Sequence, residues 1–253
     1  MLTRTRQTAG MPSLTLPDRL IWFAHCPKAG GTSVEQFMVA EWGDAVGHLH
    51  WGWDLWWKAG GWRDASPPNS PQHLVWEDAL CALPCPPDTV FAVVRDPAAR
   101  LQSEYRWQRR GRRGTRLGRL LARLPFSLWL RLMLAMAARH PHAFDNHLRP
   151  QADFVPDNAQ IFHLEDGLDP VIDWLASETG LTARVAVPHA IPSGANGTLT
   201  AGDAARIARA HACDYRRFGY TPPAGADVSR SLADRVSDWL SPALIFLDRR
   251  GAL

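Results

Sequence analysis

Cysteine is scarce in this chain. The four present, Cys26, Cys81, Cys85 and Cys213, are too few and too scattered for a disulfide framework. Cys81-x3-Cys85 has no second ligand pair to complete a zinc site. Reduced thiols, and with them a cytoplasmic setting, fit this usage. Long apolar runs are missing as well. The most apolar stretch, Phe126 to Ala138, is thirteen residues with Arg131 inside it, well under the roughly twenty that span a bilayer, so no transmembrane helix is expected. The N-terminal stretch MLTRTRQTAGMPSLTLPDRL lacks the apolar core of a secretory signal, and secretion is not expected. No internal repeat is visible.

What is present fits one α/β domain with a substantial core in 253 residues. The boundaries read as an N-terminal extension over 1–19, a domain over 20–220 and a C-terminal tail of unassigned role over 221–253. The formal charge of +3 is unevenly spread, because ten arginines fall between Arg106 and Arg139. Any anionic partner should meet that segment, which reads either as a patch for an anionic acceptor or a membrane surface, or as a solvated basic face.

Leu20 to His25 reads as a buried strand entering a tight turn at Pro27, and from Thr32 the spacing of Val34, Phe37, Met38 and Trp42 turns helical. Thr89 to Val94 (TVFAVV) reads as a second buried strand that runs into Arg95-Asp96-Pro97 and a helix. Arg106 to Arg123 is Arg/Gly-rich and irregular or marginally helical, whereas Pro125 to Arg139 has amphipathic helical spacing. That helix suits domain packing, a dimer contact or a peripheral membrane contact. Ile161 to Leu164 is a third strand, Pro170 to Thr179 a helix and Ala201 to Phe218 a longer one. Strands alternating with helices imply a mainly parallel central sheet covered on both faces. Six of the twelve tryptophans lie between Trp42 and Trp62 and form either core or a wall for a substrate.

Pro27-Lys28-Ala29-Gly30-Gly31-Thr32-Ser33 sits between a strand and a helix start, where an anion belongs. Glycines let backbone N–H groups close on a phosphate, the helix N-terminus adds partial positive charge, and Thr32 and Ser33 offer hydroxyls. The nucleotide-kinase loop places its lysine after the last glycine and before a magnesium-binding Ser/Thr. Here lysine comes first, so Lys28 can meet negative charge on a departing phosphate with no metal ligand required. A second block, Arg95-Asp96-Pro97-Ala98-Ala99-Arg100-Leu101-Gln102-Ser103, also follows a strand end. Arg95 and Ser103 can grip a second phosphate there, the bland reading being an Arg–Asp pair capping a helix.

Taken together, these two blocks resemble the 5'-phosphosulfate loop and the 3'-phosphate motif of the sulfotransferases that use 3'-phosphoadenosine-5'-phosphosulfate (PAPS). Asp145-Asn146-His147-Leu148-Arg149-Pro150-Gln151, with the strand Ile161 to Leu164 and Glu165-Asp166 after it, is similar to a stretch of the carbohydrate branch: the chondroitin, HNK-1 and heparan 2-O enzymes and their bacterial relatives. Asp214-Tyr215-Arg216-Arg217-Phe218-Gly219-Tyr220 resembles that branch's "DFERFGY" helix ending. The resemblance covers roughly 20–220. It implies a P-loop NTPase-like three-layer fold, and PAPS as the co-substrate with no metal. It also implies donor binding by Lys28, Ala29, Gly30, Gly31, Thr32 and Ser33 on the 5' side and by Arg95 and Ser103 on the 3' side. Asn196 and Thr198 fall where the family closes a loop over the nucleotide. The family's paired cysteines after the "RPQ" block are absent.

Sulfuryl transfer to a hydroxyl benefits from a general base, and ten histidines compete for that role. His73, 22 positions before Arg95 (95 minus 73), resembles the histidine that precedes the 3'-phosphate motif in the heparan 2-O enzymes. His48 and His50, alternating on one strand face, and His147 with Arg149 are candidates for acceptor binding. The expected acceptor is a glycan, a glycolipid or another hydroxyl compound, with no nucleic acid partner and a peripheral membrane contact available through 106–139. Oligomeric state stays open. The rival readings are a P-loop phosphotransferase and a catalytically silent nucleotide-fold binding module.

Overall fold

The computed structural model describes residues 12–47, 71–83, 85–110, 116–121, 123–181, 199–223 and 231–249. The chain packs as two compact units, one made of Met1–Val94 with Asp153–Pro192 and the other of Arg95–Ala152 with Ser193–Leu253.

The first unit is built on a four-stranded sheet in the order β1 (Ser13–Thr15), β2 (Leu20–Phe23), β3 (Thr89–Val94) and β4 (Gln160–His163). β1 pairs antiparallel to β2, whereas β2–β3 and β3–β4 are parallel, in registers that include Phe23 opposite Phe91 and Val94 opposite His163. All four residues of β2 are buried, because side chains of alternate parity meet different layers. Ile21 and Phe23 join Phe91, Val93, Val34, Phe37, Met38, Val171, Ile172 and Leu175 in one core cluster, which seats helices α1 (Gly31–Trp42) and α6 (Asp169–Thr179) on that face. On the other parity, Trp22 meets Trp76 of α2 (Trp76–Ala82), ring centroids 5.2 Å apart. The sequence reading of an α/β sheet that is mainly parallel and flanked by helices therefore holds. It did not foresee β1, a three-residue edge strand drawn from the 1–19 extension.

The second unit is helical among its described residues. It holds α3 (Pro97–Arg109), α4 (Arg116–Leu121), α5 (Phe126–Arg139), α7 (Ala201–Ala210), α8 (Ala212–Arg217) and α9 (Leu232–Arg249). The amphipathic spacing of α5 resolves as internal packing: Trp129, Leu130, Met133 and Met136 are buried with Leu101, Ile207 and Tyr215. α9, from the tail of unassigned role, packs on α5 through Leu240, Leu244, Ile245 and Leu247. The single helix read over 201–218 is two, because the helical run breaks at His211, whose φ is −116°. Asp96 caps α3 by accepting from Ala99 N–H at 2.8 Å, with Pro97 at the first helical position. Among the described residues, no helix is long and apolar enough to cross a membrane.

Candidate functional site

The Pro27-to-Ser33 loop forms where the pattern placed it, between a buried strand and a helix. β2 stops at Phe23, two residues earlier than expected, although Ala24 still donates to Phe91 O at 2.8 Å. Pro27 to Gly30 make the turn. Lys28 holds φ = 67° and Gly30, the N-cap of α1, φ = 86°. For a lysine that conformation costs roughly 1 to 2 kcal/mol, so the surrounding structure imposes it. Turns of this kind orient successive N–H groups toward one concavity, as anion-binding nests do. Ser33 N–H donates back to Gly30 O at 3.0 Å, whereas the N–H groups of Gly31 and Thr32 have no intrahelical acceptor, as at any helix start.

Each glycine of the loop has its own reason. Gly30 takes a left-handed φ, and a Cβ on it would lie 2.9 Å from Leu164 Cδ1. At Gly31 a Cβ would lie 2.0 Å from Nε2 of His25. The ring against Gly31 belongs to a buried polar cluster that the sequence reading missed. His25 Nδ1 meets Glu35 Oε1 at 2.7 Å, and Gln72 Nε2 donates to both oxygens of Glu35 at 3.2 and 3.1 Å. His25, Glu35, Gln72 and His73 are all buried. The His73 ring meets the His25 ring edge-on at 5.1 Å. Of the candidate loop (Lys28, Ala29, Gly30, Gly31, Thr32, Ser33), the first unit thus sets Gly31 against the His25 ring, which the candidate base His73 also meets. Glu35, four residues past Gly31 on α1, was the available signal, since a carboxylate at the interior face of a helix needs a partner.

In the second unit, Arg95 directly follows β3 and is buried. Its backbone is clamped by Gln151: Arg95 N–H donates to Oε1 at 2.9 Å, and Nε2 donates to Arg95 O at 2.8 Å. Gln151 belongs to the "RPQ" block, whose role here is to fix the Arg95 backbone. Ser103, half-buried, lies about 9 Å along α3 from Pro97 at 1.5 Å per residue. Arg100, fully buried, donates to the carbonyls of His147 at 3.1 Å and Arg149 at 2.5 Å. Asp214 accepts from the N–H groups of Gln151 and Ala152, both at 2.9 Å. Burial alone would raise its carboxyl, but the His211 imidazole, the Arg100 guanidinium and the Ala152 N–H outweigh that and hold it below its ordinary value. Phe144, Asp145 and Asn146 have φ of 55°, 56° and 61°, three left-handed residues in a row ahead of this braced segment.

His147 is buried, with Nδ1 2.7 Å from Glu104 Oε2 and its ring 5.3 Å from that of Trp107. Its imidazole therefore helps anchor the segment to α3. Arg149 is half-buried. The basic segment presents Arg109, Arg110, Arg119, Arg123 and Arg139 at the surface, while Arg131 pairs with Asp234 at 3.2 Å. His48, His50, Asn196, Thr198 and the tryptophans from Trp51 to Trp62 lie outside the described residues. Comparison of the chain with known protein families, with curated proteins and with solved structures finds no match.

Proposed function

We propose that this protein is a sulfotransferase with a P-loop NTPase-like fold that transfers a sulfuryl group from PAPS to a hydroxyl of a carbohydrate or similar acceptor. The observation that carries the reading is the loop after β2: a lysine-first, glycine-containing turn with Lys28 and Gly30 at positive φ, opening directly into α1. Its neighbour in the sheet, β3, runs parallel to β2 and ends at Val94, one residue before the arginine of the second motif. Chain ends of parallel strands at the carboxyl edge are where α/β folds collect ligands.

In this reading the first-turn N–H groups of α1, with Thr32 and Ser33, bind the 5'-phosphosulfate. Lys28 stabilises charge that grows on the bridging oxygen as the S–O bond breaks in an in-line displacement. His73 takes the proton of the attacking hydroxyl, and the sulfate ester and 3'-phosphoadenosine-5'-phosphate (PAP) leave as products. Arg95 and Ser103 hold the 3'-phosphate, the guanidinium as a fork and the serine as a single donor. Lysine carries the electrostatic load, so no metal is required. The test is transfer of sulfur-35 from labelled PAPS over a panel of glycans, glycolipids and small alcohols. Labelled product that disappears in Lys28→Ala supports the reading. Transfer of the γ-phosphate of ATP instead, lost with EDTA and restored by Mg²⁺, would favour a kinase.

A further inference from the structure

A carboxylate taken out of water is stable only with close partners, and Glu35, 3% exposed, has them on two sides. On one side is His25, whose Nδ1 at 2.7 Å fixes the ring's rotation. That ring also stacks on Phe23, centroids 5.3 Å apart and planes 11° apart, so it has no room to turn. Held this way, Nε2 sits against Gly31, the first residue of α1. On the other side is the Gln72 amide, which spans both carboxylate oxygens. Gln72 and His73 share the turn Pro71–His73, so a bond that fixes the first also places the second.

We infer that Glu35 is a positioning residue of the donor site: one buried carboxylate that, through His25, sets the backbone of the loop meeting the donor's 5'-phosphate, and through Gln72 sets His73. The inference rests on the donor reading above and adds to it the part that neither phosphate motif contains. Neither Glu35 nor His25 needs to touch the nucleotide. The hydrogen-bond inventory gives it a specific form. A glutamine at position 35 keeps an oxygen for His25 Nδ1–H but turns an NH₂ group toward the NH₂ of Gln72, donor against donor. A glutamate at position 72 would restore that bond with its polarity reversed.

The experiment measures, by calorimetry on the full chain, affinity for PAP and for adenosine 3'-monophosphate, which lacks the 5'-phosphate. Wild type should bind PAP the more tightly. Glu35→Gln should lose about 10-fold in PAP affinity and Glu35→Leu about 10- to 100-fold, with affinity for the 3'-monophosphate unchanged in both. The swap Glu35→Gln with Gln72→Glu should return PAP affinity to within about 3-fold of wild type, which keeps the inference falsifiable if Glu35→Leu does not fold. General destabilisation would weaken both nucleotides together and would overturn the inference, as would variants that discriminate as well as wild type. A wild-type protein that binds neither nucleotide overturns the donor reading and takes this inference with it.

Discussion

Replacing Gly31 with alanine tests the geometry of the loop without reference to any ligand. The new Cβ would lie 2.0, 2.2 and 2.6 Å from Nε2, Cδ2 and Cε1 of His25, where non-bonded heavy atoms settle at about 3.5 to 4.0 Å. An overlap of that depth cannot be absorbed by a few tenths of an ångström. The obstacle is a ring clamped by Phe23, His73 and Glu35, so something must break. Overpacking of this kind costs about 1 to 3 kcal/mol, and displacing the ring from Glu35 loses a buried charge-assisted bond of about 1.5 to 3 kcal/mol. Alanine's better helix propensity returns up to about 1 kcal/mol, leaving a net loss of about 2 to 5 kcal/mol. For a chain of this size that is a drop in Tm of about 5 to 20 °C by circular dichroism. His25→Ala combined with Gly31→Ala should be more stable than the sum of the single losses by about 1 to 3 kcal/mol, because the second substitution removes the obstacle. A Gly31→Ala protein within 0.5 kcal/mol of wild type, or strict additivity in the double variant, would refute the contact as described.

Asp234 is held well below its ordinary value of 3.8, first by the Arg206 guanidinium and then by Ser231, and Asp214 is also depressed. The stability these carboxylates add is present above pH 3.8 and is lost as the pH falls toward their folded values, so urea midpoints should drop below about pH 4; Asp234→Asn should shrink that acid loss, and an undiminished loss contradicts the assignment. Gln151→Leu leaves the N–H and C=O of Arg95 without their amide partner and should cost about 2 to 4 kcal/mol in urea unfolding; an unchanged midpoint would remove Gln151 from that role. Lys28→Ala should lower kcat at least 100-fold with a smaller loss of nucleotide affinity, while His73→Ala should lower kcat about 10²- to 10⁴-fold with a much smaller loss of PAP affinity. Wild-type turnover in His73→Ala would place the base elsewhere, with His50 or His48 next to replace.

The elements that carried a strong local signal were legible in the sequence. The run TVFAVV is β3 from its first residue to its last, and the strand–turn–helix at Pro27 to Ser33 follows from its glycines and the change of period at Thr32. β1 escaped because three residues on a sheet edge carry no periodic pattern, and the helix break at His211 is a backbone bend with no glycine or proline to mark it. Side-chain pairings across long separations left no trace either. Glu35 meets Gln72 across 37 positions and Arg95 meets Gln151 across 56. Such contacts are created by topology, and no local spacing encodes them. The histidines show the same limit, since sequence alone did not distinguish His147, anchored on Glu104, from a residue facing an acceptor.

The central claim is that the chain recognises a nucleotide bearing phosphates at both the 5' and 3' positions, and calorimetry with PAP and AMP on wild type and Arg95→Ala tests it most directly. The account predicts that PAP binds much more tightly than AMP, and that Arg95→Ala removes about 2 to 4 kcal/mol of PAP affinity while leaving AMP nearly unchanged. Equal affinity of the wild-type protein for PAP and AMP would contradict it.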